Sequence, residues 1–189
     1  RITHYIMALV SIVVLVLLDQ ITKHLVVLHL KDRSAYVLIK DVFQLEYLEN
    51  RGAAFGVLQN QRIFFYISVL LITIAVIWFY HKVPIEHKYL PLRICAVLIL
   101  SGAFGNCIDR IRLNYVVDFL YFKLINFPIF NVADIYVTVA AFLRRQIKIL
   151  YTENYERRIC KSQPEACKIQ LQAFFWRQRG SYPSGGKRA

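Results

Sequence analysis

Between Ile63 and Tyr80 the chain runs for eighteen residues without a charged side chain, and between Ile94 and Ile108 for fifteen more. Few folds accept such stretches, and a helix crossing the hydrocarbon of a bilayer needs about 20 mostly apolar residues. Two further runs have the same character. Ile6 to Leu18 is charge-free and resumes as Ile21 to Leu30 around Asp19 and Lys23, while Phe130 to Leu143 contains only Asp134 and trails into Ile147, Ile149 and Leu150. The pattern predicts an all-α membrane protein with four transmembrane helices at about 6–28, 62–81, 90–112 and 131–150. The competing reading of the first run is a cleaved signal peptide, but no small-residue cleavage site follows it and the apolar run resumes after Lys23. An apolar content of 57% excludes a disordered chain. In a soluble protein a net charge of +12 would suggest nucleic-acid binding; here the apolar excess points to membrane lipids as the partner, and no nucleic acid is expected.

Four spans put both ends of the chain on one side. Eleven of the 24 Lys and Arg residues lie from Arg144 onward, which by the positive-inside rule makes that side cytoplasmic. Residues 31–61 and the connection from Leu113 to Phe130 then face outward. The outer segment contains Tyr36–Leu48, rich in β-branched and aromatic residues with partial alternation, and is expected to form short strands between the first two helices. Residues 1–150 are the expected membrane domain. The basic segment 151–189, ending in Ser, Pro and Gly, is expected to be a disordered cytoplasmic tail close to an anionic leaflet.

Polar residues within apolar runs are costly and therefore informative. Asp19 and Lys23 are four apart, with the acid first, the favourable order for an ion pair on one helix face. In the third run Ser101, Gly102, Ala103 and Gly105 allow a neighbouring helix to approach, and Asn106, Asp109 and Arg110 follow at helical spacing. A structural clasp and a catalytic role both fit them. Cys95 and Cys107 read as space-filling residues, and Cys160 and Cys167 lack a neighbouring His for a zinc set. The small-residue block Asn50-Arg51-Gly52-Ala53-Ala54-Phe55-Gly56 fits an ordinary turn or a place of close backbone approach.

The topology brings two acids to one membrane face. Asp118, in Val116-Val117-Asp118-Phe119, emerges beyond the third span, and Asp134 lies in the first turn of the fourth. Asn131 can cap that helix, with Asp134 three residues on completing the capping geometry, whereas Asp118 has no local capping duty.

These blocks, in this order, resemble the bacterial lipoprotein signal peptidase (signal peptidase II) family: Asp19-Gln20-Ile21-Thr22-Lys23, the Asn50–Gly56 block, Gly105-Asn106-Cys107-Ile108-Asp109-Arg110 leading to Val116-Val117-Asp118-Phe119, and Phe130-Asn131-Val132-Ala133-Asp134. The resemblance covers about residues 6–150. It implies an intramembrane aspartyl endopeptidase with Asp118 and Asp134 as the catalytic pair. Supporting or substrate-contacting roles would fall to Asp19, Lys23, Asn50, Gly52, Asn106, Asp109, Arg110 and Asn131. The implied substrates are prolipoproteins carrying diacylglycerol on a cysteine, cut on its N-terminal side at the outer face of the bacterial cytoplasmic (inner) membrane, and the outer strands would be a cradle over the site. Asn114 stands where the family often has glycine, and asparagine tolerates the left-handed backbone such a turn requires. Residues 151–189 match nothing in the family.

Two adjacent carboxylates share one proton more readily than both ionise. The ionised member can take a proton from water while the other polarises the scissile carbonyl. This chemistry calls for no metal and no cofactor, and the five histidines form no H-E-x-x-H set. No obligate protein partner is expected. A proton-conducting bundle is the rival class, but it would place its acids near the bilayer midplane rather than at one boundary.

Overall fold

Three helices show an inside-out distribution of polarity: their large apolar side chains face outward and their polar ones face each other. The computed structural model describes residues 2–52 and 61–162. Its helices are α1 (Ile2–Leu30), α2 (Arg62–Lys82), α3 (Leu90–Leu113) and α4 (Val132–Ser162), with strands β1 (Tyr36–Ile39), β2 (Phe43–Asn50) and β3 (Val116–Phe122). Among the described residues, α1, α2 and the stretch leading through α3 are long and apolar enough to cross a membrane. Ile2, Leu9, Ile63, Leu71 and Trp78 are exposed, whereas Asp19, Lys23, Ser101 and Asp109 are buried. Water would not tolerate this arrangement, but lipid tails solvate it.

The chain divides into two units, residues 1–144 and 145–189. The helix expected to end near 150 runs to Ser162, so residues 151–162 are helical rather than disordered. No proline or glycine interrupts the sequence until Pro164, which explains the extension. The remainder of the expected tail, with Cys167, lies outside the described residues.

Helix α3 packs on both α1 and α2, and its small residues set how closely. A Cβ on Gly105 would stand 2.6 Å from Asp19 Oδ2, and one on Gly102 would stand 2.6 Å from both the Ala133 carbonyl oxygen and Val137 Cγ2. The first glycine therefore seats α3 against the acid of α1, the second against the start of α4. Asn114 ends α3 with φ 69°, its N–H donating to the Arg110 carbonyl. This is the left-handed turn expected where the family often has glycine, and it swings the chain directly into β3.

The strands form one antiparallel sheet in the order β1-β2-β3. The segment expected to be β-rich supplies only two of them. The third comes from Val116–Phe122, beyond the third helix, where no strand was expected. Val117 and Phe119 pack with Val26 of α1, so by strand alternation Val116 and Asp118 face the other way. A bulge between Leu45 and Leu48 places an extra residue of β2 opposite β3, and beyond it Leu48 pairs with Asp118 and Asn50 with Val116.

Gly102→Ala and Gly105→Ala test the seating of α3. Each adds a methyl group where backbone or a buried carboxylate already stands, and each should destabilise the protein by about 1–3 kcal/mol. Thermal unfolding in detergent should show both midpoints falling.

Candidate active site

Lys23 is a buried charge within the helices. Its Nζ lies 2.9 Å from Asp19 Oδ2, 2.9 Å from Asp109 Oδ2 and 3.0 Å from Asn106 Oδ1. The ion pair expected from the i, i+4 spacing is therefore one side of a three-way site, completed by two residues of α3. The carboxylates are bonded further: the Ala133 N–H donates to Asp19 Oδ1 at 2.9 Å and the Val117 N–H to Asp109 Oδ2 at 3.2 Å. Gln20 Nε2 donates to Asp109 Oδ1, the Gly105 carbonyl and Asp19 Oδ2. One buried cluster thus ties α1, α3, the start of β3 and the start of α4 together.

The cluster also orients an amide. A lysine can only donate, so Asn106 presents its oxygen to Lys23 and its nitrogen the other way. That nitrogen donates to Asp134 Oδ1 at 2.9 Å. Asp134 Oδ2 accepts the backbone N–H of Asn131, while Asn131 Oδ1 accepts that of Asp134, both at 3.1 Å. This is the reciprocal capping geometry expected from the spacing. Capping and a place in the site are combined in one acid.

Asn131 then joins the two acids. Its Nδ2 donates to Asp118 Oδ1 at 2.6 Å and to Asn106 Oδ1 at 3.1 Å, and the residue is fully buried. On the far side of Asp118, Asn50 Nδ2 donates to Oδ2 at 2.8 Å while Asn50 Oδ1 accepts the Gly52 N–H at 3.0 Å. The Gly52 carbonyl in turn accepts from Arg110 Nη2 at 3.0 Å, and the Arg110 guanidinium lies 4.1 Å from the centre of the Phe65 ring. Residues 53–56 of the small-residue block lie outside the described residues.

Asp118 and Asp134 line one cavity of about 1030 Å³, together with Asn50, Gly52, Asn106 and Arg110. Asp19, Lys23 and Asp109 stand behind it, and Asn131 stands between the acids. The ten residues singled out from the sequence are thus one connected assembly in two tiers. Three contributors were missed. Gln20 was quoted only as part of a block, Phe65 lies at the unremarkable start of an apolar run, and the apolar wall formed by Phe122 and Phe127 beside Phe130 belongs to a connection read as plain loop. Aromatic residues in a membrane protein carry no signal that separates a cavity wall from a lipid contact.

The environment acts on Asp118 directly. Burial raises its pKa and the Asn50 hydrogen bond opposes the rise, but the negative charge of Asp134 adds to it, and the net result is pushed up to about 6.

Comparison with known proteins agrees with this architecture. The family model described as Signal peptidase (SPase) II matches residues 11–149. The lipoprotein signal peptidase of Caldanaerobacter subterraneus is 45% identical over 138 residues, covering 72% of this chain and 92% of that protein. That of Clostridium tetani is 40% identical over 155 residues, covering 80% of this chain and 97% of that protein. A solved structure of a bacterial membrane enzyme superposes with a TM-score of 0.68 at 29% identity, covering 78% of this chain and 90% of that one.

The charge relations of Asp118 make a signed prediction. Followed by its infrared carboxyl band, Asp118 should lose its proton near pH 6. Asn50→Ala removes a bond to the charged form and should move the transition to higher pH, whereas Asp134→Asn removes a like charge and should move it lower. Shifts of the opposite sign would mean that the two groups do not act on Asp118 as the geometry requires.

Proposed function

Because the chain belongs to the signal peptidase II family, we propose that Asp118 and Asp134 are the catalytic pair with which it removes signal peptides from prolipoproteins. The chain is a peptidase of the membrane; the aspartic mechanism is our reading of its site. The observation that carries it is the joint hold of Asn131 on both acids, each of which opens on one cavity.

In this mechanism the shared proton resides on Asp118, whose pKa is raised by burial and by its partner. Asp134, held as a carboxylate acceptor by Asn106 and Asn131, takes a proton from water. The resulting hydroxide attacks the scissile carbonyl, whose oxygen is polarised by the Asp118 proton. Collapse of the tetrahedral intermediate breaks the C–N bond, and the amine leaves with the proton that Asp134 took from water, which returns both acids to their starting forms. Asn50 and Arg110 fix the backbone at Gly52 beside the acids, so an extended peptide entering there would meet a rigid wall. Asp19, Lys23 and Asp109 act through Asn106 and the backbone rather than on substrate.

We place the protein in the bacterial inner membrane with α4 as a fourth span, both ends of the chain cytoplasmic and the acids at the outer face. The domain boundary near 150 and a cytoplasmic location for 151–189 belong to the same reading. The substrate is a prolipoprotein whose cysteine bears diacylglycerol, cut on the N-terminal side of that cysteine. Each buried methylene of an acyl chain contributes roughly 0.8 kcal/mol to membrane partitioning, so two chains hold the scissile bond at the depth of the acids and reduce encounter to a lateral search. The apolar lining of the cavity by Phe122, Phe130, Ile135 and Val139 suits such a substrate.

Cleavage of a diacylglyceryl-modified lipobox peptide by purified protein tests the proposal. Asp118→Asn and Asp134→Asn should each lower turnover by about a thousand-fold or more, because a dyad acts as a unit, with membrane insertion intact. Substantial turnover by either would remove the aspartic mechanism. The same peptide with an unmodified cysteine should be cut poorly. Equal cleavage of the two peptides would remove lipid-directed recognition.

A further inference from the structure

The end of α3 remote from the acids carries a cation for which the described residues supply no hydrogen-bond or ion-pair partner. Arg93 lies in the first turn of α3, sixteen residues before Asp109, which at 1.5 Å per residue is about 24 Å. Only 8% of its surface is exposed, and its Nε is buried without a hydrogen-bond partner. The guanidinium carbon lies 4.9 Å from the centre of the Tyr80 ring, so an aromatic shelf covers one of its faces. That shelf is braced by α1: the Tyr80 hydroxyl donates to the His4 carbonyl at 3.2 Å, and the Tyr5 and Tyr80 rings pack at 5.5 Å.

A buried guanidinium edge without an acceptor is expensive unless an anion is supplied from outside the chain. The surroundings favour one. The positive end of the α3 dipole adds to the charge of Arg93. His81, Lys82, His87 and Lys88 flank it in sequence, and the acid among them, Glu86, is engaged by Lys88 at 2.7 Å. Leu90 and Ile94, on either side of Arg93 along the helix, are exposed apolar side chains continuous with the lipid-facing surface. An anion seated here would have its attached chains lying along that surface.

We propose that Arg93 and the first turn of α3 bind the phosphate of an anionic phospholipid headgroup, from the leaflet opposite Asp118 and Asp134. The two Nη groups offer a planar fork that matches two phosphate oxygens. The acyl chains pass over Leu90 and Ile94. The site is separate from the cavity of the two acids and pins the ends of α1, α2 and α3 in that leaflet.

Thermal unfolding in mixed micelles tests this. Phosphatidylglycerol should raise the wild-type midpoint by about 3 °C or more, whereas phosphatidylcholine and inorganic phosphate should not. Arg93→Gln should lose that increment while still cleaving modified peptide. An equal rise with phosphatidylcholine would overturn the requirement for anionic charge, and an equal rise with inorganic phosphate would overturn the lipid source. Retention of the full increment by Arg93→Gln would overturn the site itself. Native mass spectrometry of Arg93→Lys, which keeps the charge but removes the fork, covers the case in which Arg93→Gln fails to assemble. The wild type should retain one phosphatidylglycerol at least about five-fold more often than the variant, and equal retention would refute the proposal.

Discussion

A lysine amine sunk among apolar helices is the interaction on which the rest of this structure depends. Lys23 meets Asp19, Asp109 and Asn106 within 3.0 Å and is almost wholly buried. Breaking a buried pair by deleting one partner typically costs about 3–5 kcal/mol, because the remaining charge is left uncompensated. Around Lys23 the penalty would fall on two carboxylates at once. The helices are therefore held in one arrangement by charge satisfaction, a stricter criterion than apolar packing among lipid-like surfaces. Since Ala133 and Val117 donate backbone N–H groups to the same carboxylates, that arrangement also locates the start of α4 and of β3, the two elements that carry Asp134 and Asp118.

The site is a consequence of that frame together with two local devices. Strand alternation turns Asp118 away from the Val117–Phe119 packing, and the bulge in β2 brings Asn50 to the same cavity. At the start of α4 the capping reciprocity of Asn131 and Asp134 leaves the Asn131 amide free to reach Asp118. Rigid amides on every side leave the two carboxyl groups few alternative positions, which is what pre-organised acid–base chemistry requires.

Local relations were legible in the sequence. The Asp19–Lys23 spacing, the capping pair at Asn131 and Asp134, the tolerance of Asn114 for a left-handed turn and the small-residue contact at Gly102 and Gly105 all follow from helix geometry within a few residues. What was not legible joins distant segments. The role of Gln20 depends on Asp109 and Gly105, more than eighty residues away, and β3 exists because it pairs with β2 across a similar gap. Val116–Phe122 alone reads as part of a connection, since burial of its first four residues on both faces replaces the alternation of a half-buried strand. The extent of α4 beyond 150 was missed for a different reason: the Ser, Pro and Gly residues at the far end suggested disorder for the whole segment, where unbroken helical propensity decided.

The central claim is that the Lys23 cluster both assembles the helices and, through Asn106, sets the orientation of Asp134. Comparing Lys23→Met with the charge-neutral triple variant Asp19→Asn, Lys23→Met, Asp109→Asn separates the two roles. The single variant should lose thermal stability and activity together. The triple variant, with no uncompensated charge, should recover much of the stability, yet cleave modified peptide more slowly than wild type, because Asn106 loses the Lys23 donor and keeps only the bond from Asn131 to orient it. A triple variant that regains stability and cleaves at the wild-type rate would contradict the account.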